Sequence, residues 1–378
     1  MDTVLEGVVI DANNRNTVIP GVSVKVSRGS VVIASTETDS NGKFSIAVPS
    51  GSLTVEFSKE NYLSFVSTET IHEGDANHSM GQVELTPGSG MGGFHGMIRD
   101  AVTNEPISDV TLNLYIGWNN PAESNTAIRT LKTNSNGEFR YETTSLFGNI
   151  IGLAAGNYTL TASKEGYSDT SYNIVIYPGT TDENPAINET MSPGMNDGFY
   201  RIVLTWGMSP RDLDSHLVAD TSDDGNIHVY YSQKNPYPNY ANLDVDDTDS
   251  EGPETITITN FEGLSNIRYA VHDYTNRDNT SSDWLSNSGA VVRLYKGSQL
   301  LRTFNVPSGY SGTEWDVFSL DSNGRITSIN TMTNNSNPSN VLGNSRARSV
   351  APPLKDYELE DAFAETSVSE NSELNTEN

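Results

Sequence analysis

Residues 36–65 read TETDSNGKFSIAVPSGSLTVEFSKENYLSF. Leu53, Val55 and Phe57 alternate with polar side chains, the period of a strand with one buried face. Asn41-Gly42 stands before the run that begins at Lys43, and both residues tolerate positive φ. The pair therefore predicts a tight type I′ hairpin. Phe44, two residues after the glycine, is expected to point inward. The closing SKENY ends a strand and is expected to lay the Tyr62 ring over the edge of a core. Upstream, residues 5–26 (LEGVVIDANNRNTVIPGVSVKV) carry the same alternation at Val22, Val24 and Val26.

The pattern recurs further along the chain. Residues 94–115 (FHGMIRDAVTNEPISDVTLNLY), 131–144 (LKTNSNGEFRYETT) and 153–170 (LAAGNYTLTASKEGYSDT) repeat the parts in the same order. A G-x-[VI]-x-D strand opens each block and a step into a second strand follows. A [DN]-S-N-G turn then precedes Phe44 or Phe139, and S-K-E-x-Y closes at Tyr62 or Tyr167. The second block differs at residues 143–155, where TTSLFGNIIGLAA lengthens one connection and marks a place for an atypical contact. Helical periodicity is nearly absent, and Gly, Asn, Asp and Ser punctuate the chain at short intervals, as in β-sandwiches.

On these motifs both blocks resemble carboxypeptidase regulatory-like domains, relatives of transthyretin-like and collagen-adhesin B-type repeats. The resemblance implies seven-stranded sandwiches that serve as spacers or binding modules. No zinc peptidase motif accompanies them, the first 190 residues holding only His72, His78 and His95.

Residues 180–199 read as a polar linker into a third part. There RIVLTW, NIHVYYS, TITITNF, IRYAVHDY, AVVRLYKG and LLRTFNVP all read as strands, and Asp321-Ser322-Asn323-Gly324 repeats the turn chemistry. From about residue 331 the chain turns Asn- and Ser-rich and then acidic, a composition that predicts disorder; Tyr357, Leu359 and Phe363 could form one short partner-binding helix. The expected fold class is all-β, with tandem β-sandwiches over 1–88 and 92–193, a larger one over 196–330 and a disordered acidic tail over 331–378.

The 378 residues carry a formal charge of −27 and no cysteine. Such a field repels nucleic-acid phosphates and anionic membrane surfaces and attracts cations. Disulfides, thiolate metal sites and cysteine nucleophiles are excluded. No apolar run is long enough to span a membrane. The first residues carry no signal-peptide pattern, as expected either of a cytosolic chain or, as the repeats favour, of a mature extracellular or cell-surface fragment carrying an added Met.

The acidity concentrates in two segments. In SPRDLDSHLVAD (209–220), extended geometry puts Asp212, Asp214 and His216 on one face and Leu213 and Leu217 on the other. The bland alternative is a solvated strand face. LDVDDTDSEGPET (243–255) supplies Asp244, Asp246, Asp247, Asp249, Glu251 and Glu254. An EF-hand reading of it fails, because Ile258 stands where the bidentate Glu belongs. Oxygen-rich, sulfur-free donors suit a hard cation, Ca2+ first. Zinc is the runner-up because His216, His228 and His272 share the region. Between the segments, Tyr230, Tyr231, Tyr237 and Tyr240 crowd a Pro- and Asn-rich loop, a pattern that also fits sugar stacking, with Tyr231, Tyr237 and Tyr240 as its residues.

Residues 199–320 also resemble a bacterial domain of unknown function found in predicted periplasmic and surface proteins. Asp212, Asp214, His216, Asp244, Asp246, Asp247, Gly252, Pro253 and Glu254 match its D-x-D-x-H and L-D-x-D-D-T…G-P-E motifs. The resemblance implies a shared site without naming its chemistry. The sequence thus predicts a non-catalytic structural or adhesive surface protein, a filament or stalk component, with a Ca2+-stabilised third domain. Its partners would be surface proteins, glycans or copies of itself, with neither nucleic acid nor membrane insertion. The alternatives are a lectin-like module and a carboxylate-based glycan hydrolase.

Overall fold

The computed structural model describes residues 2–120, 126–146, 149–223, 225–236 and 239–343, and every regular element longer than a 3-10 turn is a strand. Three separate hydrophobic cores form, centred on Phe44 and Phe57, on Leu112 and Leu160, and on Trp315 and Tyr269. The chain is therefore an all-β series of sandwiches.

In the first sandwich, Thr3–Asp11 pairs with Asn14–Val18 and Lys43–Val48, and in parallel with Asn77–Leu85. The facing sheet runs Val31–Glu37, Ser23–Arg28, Gly51–Ser58, Phe65–Ile71. The second sandwich follows the same plan. Phe94–Asp100 pairs with Glu138–Tyr141 and in parallel with Ile187–Met191, facing a sheet ordered Arg129–Lys132, Thr111–Ile116, Gly156–Ser163, Thr170–Ile176. The 180–199 segment is thus not a linker throughout. Ile187–Met191 closes the second sandwich as Asn77–Leu85 closes the first, and Met191 is fully buried. Its short apolar content, spaced by Asn, Glu and Thr, hid a strand buried mainly at its end. In the 143–155 insertion, Thr144–Leu146 pairs with Asn149–Ile151, and Leu153–Ala154 pairs with Met91–Gly92.

The recurring motifs have duplicated physical roles. Asp39 and Asn134 each accept two backbone N–H bonds across their turn, and Gly42 (φ 70°) and Gly137 (φ 72°) donate back to residues 39 and 134. Only the glycines have positive φ in these turns. They are therefore type I turns closed by a glycine bulge, not the type I′ turns predicted from Asn-Gly. Asp321 and Gly324 build a third copy. Phe44 and Phe139 are buried. Tyr62 and Tyr167 lie at core edges and donate to Asp11 (2.8 Å) and Asp100 (2.9 Å), the aspartates that end the opening strands. Burial, with these carboxylate partners, pushes both phenols up to about 12.

Buried Thr38 and Thr133 stand just before their turns. Thr38 accepts from Val22 N (2.8 Å) and donates to Ile19 O (2.7 Å); Thr133 does the same with Val110 and Ile107. Thr38→Val keeps the shape but leaves two buried backbone groups without partners. The expected loss is roughly 2–3 kcal/mol, read by urea denaturation. A loss near zero would mean that water reaches the Ile19–Val22 step.

The third sandwich joins two five-stranded sheets. One runs Ala241–Val245, Glu254–Ile258, Tyr200–Thr205, Val291–Lys296, Gln299–Asn305; the other runs Asn226–Val229, Leu213–Thr221, Leu264–Asp273, Glu314–Leu320, Ile326–Thr333. The ordered chain extends past 331, against the expectation of a tail there. Met332 is in the core, and Val341 and Leu342 pack on Ala270 and Val218. The Asn-rich composition misled because Asn330 and Asn335 are buried hydrogen-bonding groups, not solvated ones. Residues 344–378, with the helix suggested at Tyr357–Phe363, lie outside the described residues.

The three sandwiches touch through polar groups taken out of water. Arg302 reaches Asp75 at 3.0 Å, Tyr310 donates to Glu6 (2.8 Å), Arg293 meets Glu189 (3.2 Å) and Tyr177 donates to Glu84 (2.6 Å). Among the described residues no helix is long and apolar enough to cross a membrane.

Candidate metal centre

The two acidic segments meet at one end of the third sandwich. Leu213 and Leu217 enter the core, which fixes the register of the Leu213–Thr221 strand and turns Asp214, His216 and Val218 to its other face. That face is not solvated. Val341 and Leu342 lie over Val218, and His216 has no exposed surface. Trp206 sets the two loops that lead in. Its Nε1 donates to Pro210 O (2.9 Å), and a Cβ at Gly252 would stand 2.9 Å from its ring, so only glycine fits there. Glu254 opens its strand fully buried and accepts a short hydrogen bond from Ser215 N in the opposite sheet.

Asp214, Asp246 and Glu254 each bring one carboxylate oxygen within 4.8 Å of the others. Asp212 is buried beside them. Each of the four has a buried oxygen with no hydrogen-bond partner among the described residues: Asp212 Oδ1, Asp214 Oδ2, Asp246 Oδ1 and Glu254 Oε1. Burial, then the charges of Asp214 and Asp246, pushes the Asp212 carboxyl up to about 7. Burial raises Asp214, with His272 opposing, and holds Glu254 well above the usual carboxylate range, helped by Asp214. Lys234 gives Asp246 a cation at 2.5 Å, but from an exposed position.

The remaining predicted ligands face elsewhere. Asp244 accepts from Thr257 (2.5 Å) and Asn242 on the other side of its strand, in a groove beside Arg201. A register slip between Leu243 and Val245 separates it from Asp246. Asp247 caps Asp249 N (2.8 Å), and Asp249 is exposed. Glu251 turns to the second sandwich, where it bonds Asn188 and lies 3.8 Å from Arg99. Alternation along an acidic run says which side chains share a face, but not where a bulge resets it.

An imidazole cluster adjoins the carboxylates. His272 lies directly opposite Asp214 in the strand register, its Nδ1 3.8 Å from Asp214 Oδ2. His216 Nδ1 is 2.9 Å from His228 Nε2, and Tyr230 stacks on both rings. His272 Nε2 meets the backbone oxygen of Asn335 at 2.9 Å. Sequence reasoning missed Asn335, since a backbone carbonyl in a segment read as tail gives no compositional signal.

Of the tyrosines read as sugar-binding, Tyr231 sits edge-on to Tyr230 and Tyr274, Tyr240 packs partly against the core, and Tyr237 lies outside the described residues. Asp212, Asp214 and Glu254 are buried and Asp246 is half-buried, which weighs against the glycan-hydrolase alternative, whose carboxylates flank a sugar in an open cleft.

Residues 4–86 match the carboxypeptidase regulatory-like domain family. No curated protein matches the chain. Among solved structures, the Bacillus anthracis TIE protein shows 11% identity over 71% of this chain and 44% of its own, with a TM-score of 0.20. The Streptococcal ancillary pilin shows 18% identity over 52% and 63%, also at 0.20. The chain therefore spans less than two thirds of either. A homologue of telluride resistance protein from Streptomyces coelicolor shows 16% identity over 38% of this chain and 94% of its own, at 0.31. At these scores the likenesses carry no argument about function.

Proposed function

We propose that this chain is a non-catalytic structural or adhesive protein of the cell surface, a filament or stalk component, whose third sandwich is held by Ca2+. The observation that carries the cation reading is the convergence of buried Asp212, Asp214 and Glu254 with half-buried Asp246, each with a buried oxygen that has no hydrogen-bond partner among the described residues. A buried carboxylate without a partner is costly, and four together repel one another. A hard divalent ion taking oxygen donors at about 2.3–2.6 Å suits this set. It would hold together two loops and two sheets that otherwise push apart. The structural role is supported by the regulatory-like module and by ion pairs buried between sandwiches. The edge strand Val31–Glu37 exposes Val31, Val32 and Ile33, a surface for a protein partner or a second copy.

Calorimetric titration of the chelator-treated full chain with Ca2+ tests the reading. One ion per chain is expected, with affinity reduced at least about tenfold in Glu254→Gln and unchanged in Asp249→Asn, since one carboxylate points into the site and the other to solvent. Equal effects of the two substitutions would contradict it.

A further inference from the structure

We infer that the third sandwich holds a second, nitrogen-liganded divalent metal ion on Asp214, His216 and His272, next to the carboxylate site and joined to it through Asp214. One atom from each of the three lies within 4.8 Å of the others, and all three residues are buried. Tetrahedral ligands about 2.0 Å from zinc stand about 3.3 Å from each other; the 3.8 Å between His272 Nδ1 and Asp214 Oδ2 is a small closure away. The two triads share only Asp214, so the carboxylate site does not use up the imidazoles.

The hydrogen bonds around the rings leave the correct lone pairs free. The Asn335 carbonyl only accepts, so His272 Nε2 carries the hydrogen, and in the neutral ring Nδ1 is a lone pair. Nδ1 has no partner, although it is buried. His216 is equally telling. Its Nδ1 bonds His228 and its Nε2, with no exposed surface, has no partner either. If Nδ1 donates, Nε2 is a buried lone pair; if Nδ1 accepts, Nε2–H is a buried donor with nothing to receive it. A metal at Nε2 resolves the first arrangement, and no atom of the described residues resolves the second. Burial and the neighbouring imidazoles also keep His216 neutral, the form that ligates. His272 then has the backbone-carbonyl partner that metal-binding histidines commonly show, and His216 has the His228 imidazole in the same place.

Imidazole donors select a first-row transition ion such as Zn2+ over Ca2+, while the all-oxygen triad does the reverse.

The proposal stands on the imidazole geometry and is separable from the Ca2+ reading. The full chain, stripped with chelator, is saturated with Ca2+ and then titrated with Zn2+, with bound metals counted by mass spectrometry. Co2+ is used in parallel for its visible absorption. One Zn2+ per chain is expected on top of bound Ca2+, with Co2+ giving the bands of a nitrogen-bearing site. His272→Gln and His216→Gln should each weaken Zn2+ by at least about 100-fold, and His228→Gln by about 10–100-fold, while Ca2+ still binds. Glu254→Gln should do the converse. The inference is overturned if wild-type chain holds no Zn2+ in Ca2+, if Zn2+ and Ca2+ displace each other one for one, or if neither histidine change affects Zn2+. Loss of Ca2+ binding alone would overturn the other reading and leave this one standing. The wild-type count and the Co2+ spectrum decide the matter even if a variant fails to fold.

Discussion

Arg302→Ala should destabilise the chain by about 3–5 kcal/mol. The Arg302 guanidinium, on a strand of the third sandwich, lies 3.0 Å from Asp75 of the first, and neither side chain is more than 8% exposed. Asp75 also accepts from Ser328 N (3.2 Å), so its carboxylate serves both modules. Removing the cation leaves Asp75 charged, buried and short of its main partner. The cost is mostly that orphaned charge, not the pair's net attraction. Asp75→Leu with Arg302→Met together should therefore recover most of the loss. Urea unfolding of the single and double variants checks this. A single-variant loss below about 1 kcal/mol, the range of exposed pairs, would mean that the first and third sandwiches do not pack together in solution.

The second large effect is on pH. In chelator, Asp212 has a folded value of about 7 against an unfolded value near 4, and Asp214 and Glu254 are raised too. Between those values the folded state binds more protons than the unfolded one, so stability falls as pH rises. These carboxylates thus favour the metal-free chain at pH 5 over pH 8, while His216 and His228, held below the usual imidazole range by burial, oppose them up to about pH 6.5; Asp212→Asn, compared with the wild type by urea unfolding, should therefore gain more stability at pH 8 than at pH 5.

Much of the architecture was legible because it is local. Alternating Leu53, Val55 and Phe57 mark a strand whichever sandwich they enter, and S-N-G marks a turn. The turn type was not legible, because Asn41 has the option of positive φ and does not take it. Strand Ile187–Met191 and the covering segment 331–343 are polar in composition and ordered by tertiary contacts, so pattern alone read them as linker and tail. At the site, Asp212, Asp214, His216, Asp246 and Glu254 stood out as acidic or ligating residues on neighbouring strands. What sequence could not supply was the bulge that turns Asp244 away, the inter-module pull on Glu251, or the pairing of Asp214 with His272, which depends on a register set nearly sixty residues apart.

A calcium ion on the buried carboxylates is tested most directly by thermal unfolding of the full chain at pH 5 and pH 8, in chelator and in Ca2+. Ions bind the deprotonated carboxylates, so the stabilisation by Ca2+ must grow with pH, opposite in sign to what these carboxylates contribute without metal. At a hundredfold excess over its dissociation constant, Ca2+ should add about 2.7 kcal/mol at pH 8, a rise in Tm of roughly 3–4 °C for the chain unfolding as one unit and more for a separate transition of the third sandwich, and clearly less at pH 5. A Tm that Ca2+ leaves unchanged at pH 8, or raises equally at both pH values, would contradict a calcium ion held by Asp212, Asp214, Asp246 and Glu254.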